Sequence, residues 1–202
     1  MTSIRRAPSM DAYIASLPHG LSSYSGCQQK AIILSQFIGP TPASEIAPAL
    51  PPELASLVLD PPLATEWIAE VKTTAIYLAL RDAMGSDDAF VAHAYAMNRR
   101  LLARPVYRIL FALTSPETVL RGATARWGQM HRGTELRPHK VVEGEAVFRL
   151  TFPPGLVPAI LARAYTTAYR AAIEMAGAID ATVTFADQTS TGCTFTAHWR
   201  RS

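Results

Sequence analysis

Trp127-Gly128-Gln129-Met130-His131-Arg132-Gly133 closes a helix that Ser115-Pro116-Glu117 opens, and the run beyond it decides the fold. Ser115 suits the N-cap, Pro116 the first helical position, and Glu117 the positive end of the helix dipole. Val119, Leu120, Ala123, Trp127 and Met130 then recur as one buried stripe, and Gly133 ends it. Past that glycine the apolar period shortens. Residues 134–142 and 146–152 read as a hairpin about Glu143-Gly144-Glu145. Pro153-Pro154-Gly155 breaks the chain, 156–176 reads as a long helix capped by Gly177, and 182–186 pairs with 193–199 across a polar turn. The order predicts an α+β fold with a helical N-terminal half, followed by a ββαββ antiparallel sheet with a long crossing helix.

Upstream, the sequence predicts helices and breaks. Residues 1–25 are punctuated by Ser, Pro and Gly and read as a flexible N-terminal arm, leaving 26–202 as a single α+β domain. Ala31 to Leu34 with Phe37 and Ile38 is short and apolar, so period alone leaves strand and helix open. Seven prolines between Pro40 and Pro62 interrupt the chain, with one short helix over 53–59 started by Pro52. Thr65 is the expected N-cap of a helix carrying Trp67, Ile68, Val71, Ala75, Leu78 and Leu80 and stopped at Gly85. A second helix spans 86–103, and Pro105 opens another with Val106, Ile109, Leu110 and Leu113.

With 202 residues, 49% hydrophobic and 17% charged, the chain can bury about 70% of its unfolded surface around a sizeable core. Charges at Glu66, Glu70, Lys72, Arg81 and Asp82 interrupt the most apolar helix, so no membrane span is expected. The start lacks the apolar core of a secretory signal, and two cysteines are too few for a disulfide framework; a reducing cytoplasm is the expected setting. There is no Gly-x-Ser-x-Gly elbow, phosphate loop or dinucleotide fingerprint. Glu143 and Glu145 read as solvated turn residues and Cys193 as a small buried hydrophobe.

Several segments carry a resemblance: Pro62 to Trp67, Leu101 to Leu113, His131-Arg132-Gly133-Thr134-Glu135, and Gly192-Cys193-Thr194-Phe195-Thr196-Ala197-His198-Trp199. Over roughly 26–199 they resemble an uncharacterised myxobacterial paralogous family. At greater distance the arrangement is similar to the heme nitric-oxide/oxygen-binding domain and the 4-vinyl reductase-like ligand-binding domain. That resemblance implies a ligand held between helices and sheet. The heme domain's tyrosine, serine and arginine signature for the propionates is missing here, as is a histidine placed like its proximal ligand.

The histidines His19, His93, His131, His139 and His198 never fall three or four apart, so no pair shares a metal on a helix. His93, beside Phe90 and Met97, admits a heme-ligand reading next to a structural one. His131 is expected to face a helix C-terminus, and His198 solvent. A candidate ligand pocket gathers Trp67, Phe90, His93, Met97, Phe111, Trp127, Tyr165 and Tyr169; core packing explains the same residues.

Charge is unevenly spread. Net charge is −4 over 1–98, +7 over 99–140 and zero over 141–202. Arg100, Arg104 and Arg108 repeat at a four-residue spacing and would share a helix face. With Arg121, Arg126 and Arg132 they form a candidate contact surface for a protein partner or anion. No aromatic residues interleave with them, which argues against nucleic acid. The sequence therefore points to a non-enzymatic sensory or regulatory module binding a small apolar ligand or a protein partner. The alternatives are a heme-based gas sensor and an enzyme acting on a hydrophobic small molecule. Residues 193–199, read as a sheet edge, make a homodimer conceivable.

Overall fold

The computed structural model describes residues 7–39, 41–103, 105, 111, 114–200 and the backbone of 201. Packing divides the chain into two compact units, Met1–Phe90 with Met130–Gly133, and Val91–Gln129 with Thr134–Ser202, where the sequence reading has one domain over 26–202.

In the first unit, α1 (Pro8–Ser16) begins at a proline and buries Met10 and Tyr13. The Ser9 amide donates to Asp82 over 2.7 Å, so this part of the expected arm is a packed helix. The ambiguous apolar run resolves as helix α2 (Ala31–Ile38), directly after the short strand β1 (Gln28–Lys30). Helices α3 (Ala43–Ile46) and α4 (Pro52–Leu59) lie among the prolines, α4 with Pro52 in its first turn as the sequence predicts. Trp67 and Ile68 are not helical, because Trp67–Ala69 pairs antiparallel with β1 as β2. Helix α5 (Glu70–Met84) starts only afterwards and ends at Gly85, whose φ of 77° is the left-handed terminator expected there.

A third strand, β3 (His131–Arg132), pairs with the other side of β1 and completes a sheet ordered β2-β1-β3. It lies where the sequence predicts the end of a continuous helix from Pro116. That helix is in fact two, α7 (Pro116–Arg121) and α8 (Ala123–Met130), broken at Gly122. Ser115 caps α7 by accepting the Thr118 amide over 3.3 Å, as expected.

The second unit takes in α6 (Asp87–Leu102) from Val91 onward and contains α7, most of α8 and the larger sheet. Strands β4 (Glu135–Val142) and β5 (Glu145–Thr151) form the predicted hairpin, turning at Gly144 with φ 76°. Helix α9 (Ala159–Met175) follows, then β6 (Ala178–Thr189) and β7 (Gly192–Arg201). All neighbours are antiparallel in the order β4-β5-β7-β6. Strand β7 is therefore interior. The sheet edge expected at 193–199 does not exist, because β7 is hydrogen-bonded on both sides, and the homodimer argument built on it falls. Alternate residues face the covered side: Ala146, Phe148 and Leu150 on β5, and Cys193, Phe195, Ala197 and Trp199 on β7 are all buried. This is the period-2 pattern of a half-buried sheet. Among the described residues no helix is long and apolar enough to cross a membrane.

Candidate functional site

The aromatic layer of the second unit gathers part of the predicted pocket. Register places Phe148 beside Phe195 and Phe195 beside Phe185, a row of rings across β5, β7 and β6. Tyr169 of α9 lies parallel to Phe148, with ring centres 6.0 Å apart, and tilted against Phe195 at 5.4 Å. The residue as a whole is half-buried, yet its hydroxyl is enclosed and has no hydrogen-bond partner. Burial raises the Tyr169 pKa, and nearby Cys193 adds to the shift. The hydroxyl thus stays protonated, a neutral donor aimed into an apolar layer. An enclosed donor left unsatisfied costs about 1–3 kcal/mol. One helical turn earlier, Tyr165 meets Trp127 edge to face at 5.5 Å, and the Trp127 indole donates to Thr134 over 3.1 Å.

The other predicted pocket residues are dispersed. Phe111 packs with Val119 and Ala176, flanked by Leu102, Ala172 and Met175. Met97 is buried on α6 and His93 half-buried beside it. Phe90 and Trp67 belong to the first unit. Phe90 packs on Phe37 at 5.3 Å, and Trp67 stands on the outer side of the small sheet between Lys30 and Arg132.

The first unit also holds a polar site that sequence reasoning missed. Glu70, at the start of α5, is 1% exposed and His131, on β3, is 8% exposed. His131 Nδ1 lies 3.2 Å from Glu70 Oε1, so His131, directly past the end of α8, serves a buried carboxylate. Beside them the Gln29 amide donates to the Tyr77 hydroxyl over 2.5 Å, and burial pushes the Tyr77 pKa up, opposed by that bond. Gly133 seals the corner with φ 73°, where a Cβ would stand 2.7 Å from both Cys27 Sγ and the Gly26 carbonyl oxygen. The Cys27 sulfur is 3.4 Å from the Gly133 carbonyl. Sixty-one positions separate Glu70 from His131, and the two-residue strand that joins them leaves no periodic trace. The pair is enclosed, which suits it to holding β3 in place and not to meeting a substrate.

The predicted arginine surface is only partly described. Arg104 and Arg108 lie outside the described residues, so the stripe they would form with Arg100 is not defined. Arg100 and Arg121 are exposed. The Arg126 guanidinium folds back to donate to the Val119 carbonyl, and desolvation there lowers its pKa. Arg132 stands on β3 in the first unit.

A heme iron needs an imidazole, thiolate or phenolate facing an interior space. Among the described residues the imidazoles and thiols do not meet that need. His19, His139 and His198 are exposed, His131 is committed to Glu70, and half-buried His93 already has an interaction partner. Burial pushes the thiols of Cys27 and Cys193 up to about 11, keeping them protonated. Nor do three or more His, Cys, Asp or Glu side chains converge as a metal site among the described residues.

No protein-family model matches the chain, and no curated protein does. Solved structures do. The chain is similar to the Fe(II) unliganded H-NOX protein from K. algicida at 11% identity and a TM-score of 0.60, covering 86% of this chain and 97% of that one. It is also similar to a mutant H-NOX protein from S. oneidensis in the Fe(II) ligation state, at 11% identity and a TM-score of 0.57, with the same coverage. At these identities the likeness is one of fold: this chain has a distant H-NOX-like architecture.

Proposed function

We propose that this protein is a non-enzymatic sensory or regulatory module that holds a small apolar ligand against the aromatic layer of the second unit without heme. The observation that carries this reading is the Tyr169 hydroxyl, a neutral donor enclosed beside Phe148 and Phe195 with no acceptor. A largely apolar molecule with one acceptor oxygen or nitrogen would supply the missing hydrogen bond and bury its remaining surface on the rings. The H-NOX-like fold supports a ligand-holding role, and the resemblances to the uncharacterised myxobacterial family and to 4-vinyl reductase-like domains belong to the same proposal. The acid–base pair that an enzyme on a hydrophobic substrate could use, Glu70 with His131, is enclosed and carries no support for that alternative.

The heme-based gas sensor is the second reading, favoured by the Fe(II) H-NOX proteins whose fold this chain shares and by the half-buried position of His93. Titration of the purified protein with hemin separates the two. The proposal predicts free hemin's absorption with no sharpened Soret band. A stoichiometric Soret band lost on changing His93 to Ala would overturn it.

A further inference from the structure

The outer face of the β2-β1-β3 sheet carries a feature that the ligand-holding reading leaves unused. Along these strands Gln29, Ile68 and His131 point inward and are buried, so their neighbours Lys30, Trp67 and Arg132 point outward. Lys30 is directly opposite Trp67, with its ammonium 4.1 Å from the indole centre. The Arg132 guanidinium reaches the same ring from β3, at 3.9 Å. Two cations thus share one aromatic ring, an arrangement that fixes their positions by cation–π attraction. Among the described residues neither forms an ion pair. The Lys30 ammonium donates to the Thr65 carbonyl, over 2.5 Å. Glu66, next to Trp67 in the chain, is turned to accept the Leu63 amide over 2.8 Å. The same turn leaves Leu63 72% exposed, the most exposed large hydrophobic side chain among the described residues.

We infer that this sheet face docks a carboxylate-rich segment of a protein partner, with Lys30 and Arg132 receiving two acidic side chains and Leu63 an apolar one. Charge complementarity selects the occupant. With one cation 4.1 Å and the other 3.9 Å from the same ring centre, the two like charges lie within about 8 Å of each other and repel until anions lie against both, and acidic side chains two apart along an extended peptide, roughly 7 Å, fall within that reach. A nucleic-acid strand would need the indole surface for base stacking, and the two cations already stand over it. A membrane would gain only about 1 kcal/mol for each cation from anionic headgroups, too little from two.

Fluorescence anisotropy with a labelled Glu-rich peptide containing one Leu, added to the full chain, tests the inference. Saturable binding is expected, weakening severalfold as salt is raised from about 50 to about 500 mM. K30E with R132E should weaken it by at least about tenfold. Both side chains point outward, so the fold should survive, which circular dichroism would verify; if the double variant unfolds, R132Q alone replaces it, with a smaller loss expected. Absence of binding to the wild type, equal binding by the variants, or tighter binding to a single-stranded oligonucleotide or to anionic vesicles would each overturn the inference. The Tyr169 layer is untouched by these substitutions, so failure here leaves the ligand-holding reading standing.

Discussion

The two sheets of this protein treat buried polarity in opposite ways. Behind the small sheet, polar groups come in pairs: Glu70 with His131, and Gln29 with Tyr77. Behind the large sheet, the layer is aromatic and the Tyr169 hydroxyl has no partner. Both tyrosines are enclosed at the hydroxyl and both have raised pKa values, so burial alone does not distinguish them. Hydrogen bonding does. Paired buried side chains specify one arrangement and resist change, whereas an unsatisfied donor among rings remains chemically open. We read the first as scaffold and the second as the place where binding would be rewarded.

Several substitutions would break or sharpen this contrast. The largest effect belongs to Phe148→Ala, which removes a ring under 2% exposed and the face on which Tyr169 stacks. It should destabilise the protein by about 3–5 kcal/mol in urea unfolding. His131→Leu should cost about 2 kcal/mol, because it leaves the Glu70 carboxylate without the imidazole in a buried place. Tyr77→Phe strands the Gln29 amide and should cost about 1 kcal/mol by the same measurement. Tyr169→Phe removes a donor that has no acceptor and should alone cost no stability, shifting it in the stabilising direction by up to about 1 kcal/mol. Equal costs for the two tyrosine variants would erase the difference between the sheets.

Both units should respond alike to alkali. The Cys27 and Cys193 thiols are raised from an ordinary 9.0 to about 11. Above pH 9 the unfolded chain releases these protons while the folded chain retains them. Stability from this source is therefore complete below pH 9 and lost as pH rises to about 11. Unfolding curves between those limits check the sign, and substituting both cysteines with Ala should flatten that slope.

Much of the second unit was legible in the sequence because its signals are local. Ser115-Pro116 marked a helix start, Glu143-Gly144-Glu145 a hairpin turn, and alternation through Ala146, Phe148 and Leu150 a half-buried strand. Helix α9 and the β6–β7 pairing also fell where the apolar period predicted. The strand order did not, since β7 proved interior, and order depends on how α9 returns the chain and not on strand composition. The first unit hid more. Its sheet consists of strands two or three residues long, too short to show alternation, and Trp67 and Ile68 fit the apolar spacing of the helix that follows them. The Glu70–His131 pair depended on that hidden sheet, so neither residue carried a sign of the other. Of the predicted pocket, Trp127, Tyr165 and Tyr169 lie in or beside the aromatic layer, because helical spacing does report which residues share a face. Trp67 and Phe90 were grouped with them by the same helical spacing, but Trp67 lies on a strand and Phe90 belongs to the first unit.

Native mass spectrometry of gently purified wild-type protein and Tyr169→Phe tests the central claim most directly. The account predicts a small non-heme mass on the wild type, released by denaturation and reduced or missing on the variant. A wild type that carries heme or no ligand, or a variant that retains the same bound mass, would contradict it.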